Sequence, residues 1–131
     1  MALLSKISWI FNDEYYSDRD KFNAKISQDD WKPDEIIHNY SVFNFIYYAW
    51  INKPKEILNN ERIIGTHYGR HKLLSILKAE NDKYFTSIEL MMKIHNQMCN
   101  KDLGDHIFFE GIDLNQPLID GEETFEIYCG S

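Results

Sequence analysis

The side chains able to do chemistry are few and scattered. Five histidines occur: His38, His67, His71, His95 and His106. His67 and His71 stand four apart in GTHYGRH, and on a helix they would share a face and could hold a metal with one further ligand. Gly65 and Gly69 make that stretch a poor regular helix and no cysteine is near it in sequence, so a zinc site is not expected. The same glycines with Arg70 and His67 offer amides and cations of the kind that bind phosphate, but without a recognisable loop motif. Residues 95–111, HNQMCNKDLGDHIFFEG, bring His95, Asp102, Asp105, His106 and Glu110 into one segment. Histidine with a carboxylate is the material of acid–base chemistry. If 106–111 is a strand, His106 and Glu110 share a face about 13 Å apart along it, too far to pair. Catalysis there would need His95 or Arg70 folded back into the same cleft. The simpler assignment makes His95 a hydrogen-bonded core residue beside Ile94.

Asp113, Asn115 and Asp120 are oxygen donors on one connection, without the spacing of an EF-hand. Cys99 and Cys129 have no base placed by the sequence to activate a thiol; both are expected to be reduced and buried, although one bridge is geometrically open to them. There is no Walker loop, GxGxxG, HExxH, CxxC or GxSxG. The expectation is therefore a protein with no cofactor, no metal and no catalytic residues.

The elements that must position these residues are read from apolar spacing. Leu3, Leu4, Ile7, Ile10 and Phe11 recur at three and four, which predicts a short helix with Ser5, Lys6 and Ser8 on its polar side. Residues 17–32 read as a loop with one short element around Phe22 and Ile26. Pro33, Asp34 and Glu35 make a good helix start, and Ile36, Ile37, Tyr40, Phe43, Tyr47, Trp50 and Ile51 keep helical spacing. A long apolar helix over about 34–52 is predicted as the central element. The rival is a pair of buried strands, since Val, Ile, Phe and Tyr favour strands. Pro54 can start a short helix at 55–58. Residues 70–78 are helical by pattern through Leu73, Leu74 and Leu77. Thr86 and Glu89 form a capping box, with Phe85 stapling onto Leu90, for a helix that ends near Asn100. Residues 106–112 and 124–129 read as strands, the second alternating cleanly, and they can pair across the turn-rich 113–123 connection. Ile63 and Ile64 are the candidate third strand. The fold class expected is α+β: about four helices, including the long central one, packed on a small antiparallel sheet near the C-terminus, in one domain over 1–131.

Composition narrows the function classes. The chain has 131 residues, 44% hydrophobic and 15% aromatic, enough to build a core without staples. Its net charge of −7 disfavours direct nucleic-acid binding and a basic membrane surface. No apolar run is long enough to span a membrane, and the N-terminal MALLSKISWIFNDEYY lacks a basic region and a small-residue cleavage site. A cytoplasmic location is expected. The charge is unevenly spread: residues 1–101 carry 14 basic and 13 acidic side chains, and residues 102–131 carry 8 acidic and no Lys or Arg. Such a block serves solubility, or it docks a basic partner.

The small size, acidic balance and lack of enzyme motifs, together with DLGDHIFFEG at 102–111, resemble bacterial toxin-immunity proteins, such as those of contact-dependent growth inhibition. The resemblance is one of type and assigns no residue a role. It implies a partner that is a basic toxin, most simply a nuclease domain. From the charge map, the expected contact residues are Asp105, Glu110, Asp113, Asp120, Glu122, Glu123 and Glu126, with Tyr128 as aromatic anchor. The rival readings are a small hydrolase or nucleic-acid enzyme built on His67, His71, His95 and His106, and a subunit that self-associates through Tyr47, Tyr48 or Trp50.

Overall fold

The structure is a computed structural model and describes residues 2–4, 7–26 and 30–131. In chain order its elements are β1 (Ala2–Leu3), α1 (Arg19–Ile26), β2 (Ile36–His38), β3 (Val42–Ala49), a 3-10 turn (Pro54–Glu56), β4 (Glu61–His67), β5 (Arg70–Lys78), β6 (Phe85–Thr86), α2 (Ser87–Met98), β7 (Phe108–Leu114) and β8 (Phe125–Gly130). Six strands form one sheet in the order β1-β7-β8-β3-β5-β4, and β2 pairs with β6 beside it. All neighbours in the large sheet are antiparallel except β3 and β8, which run parallel.

This overturns the expected architecture. There are two short helices among the described residues, not four, and the sheet draws on the whole chain rather than on its C-terminus. The predicted central helix over 34–52 is β2 and β3, so the strand alternative is the one realised. The predicted helix over 70–78 is β5. The first error has a clear cause. Phe43, Phe45, Tyr47 and Ala49 face the core, while Ile46, on the opposite face, is also 0% exposed. A strand buried on both faces loses its alternation and reads as a helix when Leu or Phe fall three and four apart. In β5 it is Leu74, buried on the face opposite Leu73 and Leu77, that imitates helical spacing. The predicted short helix that begins at Leu3 is instead β1 and, over 7–11, non-helical chain that bridges β7 through Ile10 and Phe108; Ser5 and Lys6 lie outside the described residues. Ile63 does lie on a strand, but β4 is at the far edge, and β3 occupies the place beside the C-terminal hairpin.

Where local chemistry is strong the expectation holds. Thr86 Oγ1 accepts from the Glu89 amide at 3.4 Å and starts α2. The reciprocal half of the capping box is not formed, because Glu89 accepts from the Glu80 amide at 2.8 Å and pairs with Lys93 at 2.9 Å. Leu90, Met91, Ile94 and Met98 of α2 are buried against Phe43, Phe45, Leu73, Leu77, Phe125 and Ile127 of the sheet. Trp9, Phe11, Tyr16 and, from α1, Phe22 and Ile26 close the far side of α2. β7 and β8 pair as predicted, with Ile112 opposite Ile127 and Leu114 opposite Phe125. β7 starts at Phe108 and runs on through Gly111, which sits at φ +132° in a bulge, a conformation only glycine takes without strain. No helix among the described residues is long and apolar enough to cross a membrane.

Candidate functional site

The face of the sheet turned away from α2 carries the chemistry. On β8, Phe125 and Ile127 point to the core, which turns Glu126 and Tyr128 outward. On β7 the register places Asp113 opposite Glu126 and Gly111 opposite Tyr128. Glu110 lies over Gly130, since a Cβ built there would meet its Oε2 at 2.5 Å. Phe108 pairs with Gly130 and is 46% exposed. On β3 the outward residues are Asn44, Ile46 and Tyr48. Glu110, Asp113 and Glu126 thus share one face with Phe108, Tyr48 and Tyr128. Among the described residues no Lys or Arg forms an ion pair with any of the three carboxylates.

The other expected contact residues are placed differently. The 115–124 connection folds back over the sheet. Asp120 pairs with Arg62 on β4 at 2.9 Å, and Glu122 accepts from Asn44 on β3 at 3.1 Å. The Glu123 carbonyl accepts from the same Asn44 amide at 3.4 Å. Asp120 and Glu122 therefore tie down the strap that covers Ile46, and they are separate from the Glu110, Asp113 and Glu126 group. Asp105 is exposed and lies 3.7 Å from His106, near the lower end of β7.

At the end where β3 and β8 finish, the charge changes sign. Arg70 begins β5 after a two-residue turn, Tyr68 and Gly69, with both at positive φ (49° and 82°). Its guanidinium stacks 5.1 Å from the Tyr48 ring and 5.8 Å from the Trp50 ring. His67 lies 5.2 Å from the same Tyr48 ring. Burial and the neighbouring Glu126 carboxylate both raise the Tyr48 hydroxyl above its ordinary pKa, so it stays a donor at neutral pH. Tyr48, Arg70 and Trp50 were not legible as a group in the sequence; the Tyr-Gly turn between THY and GRHK was the only available signal.

The histidines do not assemble. His71 Nδ1 accepts from the Ile51 amide at 3.2 Å, and His38 Nε2 meets the Val42 carbonyl at 2.8 Å. His95 is 0% exposed in a cage of Trp9, Phe11, Tyr16 and Phe22. Trp9 Nε1 donates to its Nδ1 at 3.2 Å, which requires the proton on Nε2, 2.7 Å from the Glu14 carbonyl. Burial holds this imidazole below its ordinary pKa, against the opposing pull of the Glu14 bond. His95 is thus a structural clamp for the N-terminal segment, helped by Asn96, which bonds both the amide and the carbonyl of Tyr16 at 2.9 and 2.8 Å. No three His, Cys, Asp or Glu residues among those described are grouped to hold a metal. Asp113, Asn115 and Asp120 do not converge; the Asn115 side chain turns to the Pro117 carbonyl. Cys99 and Cys129 are both free and half-buried, and burial pushes the Cys129 thiol up to about 12, out of reach as a nucleophile at neutral pH.

A scan against family models finds no match to the chain, and neither a curated protein nor a solved structure matches it.

Proposed function

We propose that the protein is a binding module of the toxin-immunity kind, which meets a cationic protein partner with the outer face of β7 and β8. One observation carries this reading. Glu110, Asp113 and Glu126 lie together on that face with no ion pair to a Lys or Arg among the described residues, interleaved with the exposed rings of Phe108 and Tyr128. Carboxylates steer a basic partner and set its register, and aromatic side chains supply the desolvated contact that charge alone does not. A nuclease domain with a basic cleft is the partner class that fits. The contact set is narrower than the sequence suggested: Asp120, Glu122 and Glu123 hold or flank the strap, and Asp105 stands at the periphery.

The test is co-purification from the native cell of the wild-type chain against the triple variant Glu110→Lys, Asp113→Lys, Glu126→Lys. A basic protein retained by the wild type and lost by the variant is expected. Equal retention by both, or retention that is insensitive to salt, overturns the assignment of this face.

A further inference from the structure

The single parallel pair of the sheet is joined over very little length. β3 and β8 share register only at Phe45 with Phe125 and at Ile46 with Glu126. Beyond these residues the two strands part while each keeps its antiparallel neighbour, β5 or β7. The gap is a cleft of about 260 Å³ lined from both strands. Apolar groups line one part of it: Met98 of α2 at 1% exposure, Ile127 at 3%, and the Cys129 side chain, beside Tyr47. Tyr48 and Tyr128 flank the mouth. A cavity of roughly 150 Å³ lined by aliphatic side chains holds benzene, so this one has room for an aromatic or branched aliphatic side chain and a small polar head.

One guanidinium and one carboxylate line the cleft, with His67 beside them. Arg70 stacks on Tyr48 from the β5 side, and Glu126 lines the same cleft from the β8 side. They do not pair with each other, and no hydrogen-bond acceptor among the described residues takes the Arg70 guanidinium. Two opposite charges that line one cleft without pairing are complementary to a dipolar group that bridges them. We propose that this cleft binds a free α-amino acid with an apolar side chain: its carboxylate on Arg70, its ammonium on Glu126, and its side chain between Tyr48 and Tyr128 above Met98. A simple carboxylate would leave Glu126 unanswered, and a simple amine would leave Arg70 unanswered. Each mismatch forfeits a charge-assisted contact.

The experiment follows the Met98 methyl resonance and the amides of residues 47–49 and 127–129 by NMR while L-phenylalanine, L-leucine, phenylacetate, phenethylamine and glycine are titrated into the intact chain. Saturable shifts are expected for the two apolar amino acids, with dissociation constants at or below about 1 mM. Phenylacetate, phenethylamine and glycine should each bind at least about tenfold more weakly, the loss of one charged contact or of the buried side chain. Arg70→Gln should weaken L-phenylalanine about tenfold and leave phenethylamine unchanged. Glu126→Gln should weaken L-phenylalanine and phenethylamine alike. No saturable shift up to about 10 mM L-phenylalanine, or equal binding of phenylacetate or phenethylamine, overturns the proposal. So does unchanged affinity in both variants. Should a variant fail to fold, the ligand series on the wild-type chain decides alone.

Discussion

Lys101 Nζ lies 2.8 Å from Oε2 of Glu61, and both side chains are wholly withdrawn from solvent. The pair survives burial because every neighbouring polar group is turned to it. Glu61 Oε1 accepts from Tyr47 Oη at 2.6 Å, Ser75 Oγ at 2.9 Å and Gln97 Nε2 at 2.8 Å, and Oε2 accepts from the Leu58 amide at 2.9 Å. Lys101 also donates to the Gln97 carbonyl at 3.1 Å, so it closes the C-terminal end of α2. Burial alone would raise the Glu61 carboxyl, but the donors from Gln97, Leu58, Lys101 and Tyr47 outweigh it and hold the pKa below the ordinary range. The network joins β3, β4, β5 and α2, and it makes β4 a fixed edge.

Removing one member should therefore cost far more than removing a surface pair. Lys101→Met leaves an unpaired buried carboxylate, and a loss of about 3–5 kcal/mol is expected in urea unfolding. The double variant Glu61→Gln, Lys101→Met should recover a large part of that loss. A single-variant loss below about 1 kcal/mol, the value of an exposed pair, would contradict the burial of this network.

His95 sets a pH dependence of definite sign. Its folded pKa is depressed by burial, so between that value and the ordinary 6.5 the unfolded chain binds more protons than the folded one. The stability it contributes is complete above 6.5 and falls as the pH drops below it toward the folded value. Charged groups near the ring are Glu14, whose carbonyl meets Nε2, and Lys21, paired to the Glu14 carboxylate at 2.9 Å. Unfolding midpoints of the wild type should decline between pH 7 and 5, and His95→Gln should flatten that slope. Equal slopes in the two proteins would remove His95 as the cause.

Two glycines separate backbone strain from a side-chain contact that can yield. Gly104 has φ +60°, and a Cβ there would stand 2.8 Å from Cζ3 of the Trp50 ring. Gly104→Ala should destabilise by about 1–3 kcal/mol, from backbone strain and displacement of the indole. At Gly130 the added Cβ meets only the tip of Glu110, which can swing into solvent. Gly130→Ala should stay within about 0.5 kcal/mol of wild type.

The acidic face should carry a measurable electrostatic cost. Asp113 and Glu126 are directly opposed on neighbouring strands. Like charges in that relation are destabilising, so Asp113→Asn should stabilise the chain by about 0.2–1 kcal/mol at low salt and less as salt rises. A face that lowers stability in the free protein fits one kept for binding. Destabilisation by Asp113→Asn would mean that the carboxylate has a structural role instead.

What the sequence determined by itself was local and terminal. Thr86 and the face of Leu90, Met91, Ile94 and Met98 identify α2, because a capping side chain and a 3.6-residue period act within one element. The alternation of 125–129 identifies β8, because only one of its faces is buried. The cationless stretch after Lys101 was visible as composition, but not where it would lie. Tertiary structure alone decided that residues 42–49 and 70–78 are strands. The 115–124 strap covers the outer face of β3, and burial on both of its faces erases the period that would have marked that strand. It also decided the parallel pairing of β3 with β8, which brings Glu126 to Tyr48 and Arg70 across the sequence. Register and crossover depend on contacts between distant segments, and no local pattern in either strand encodes its partner.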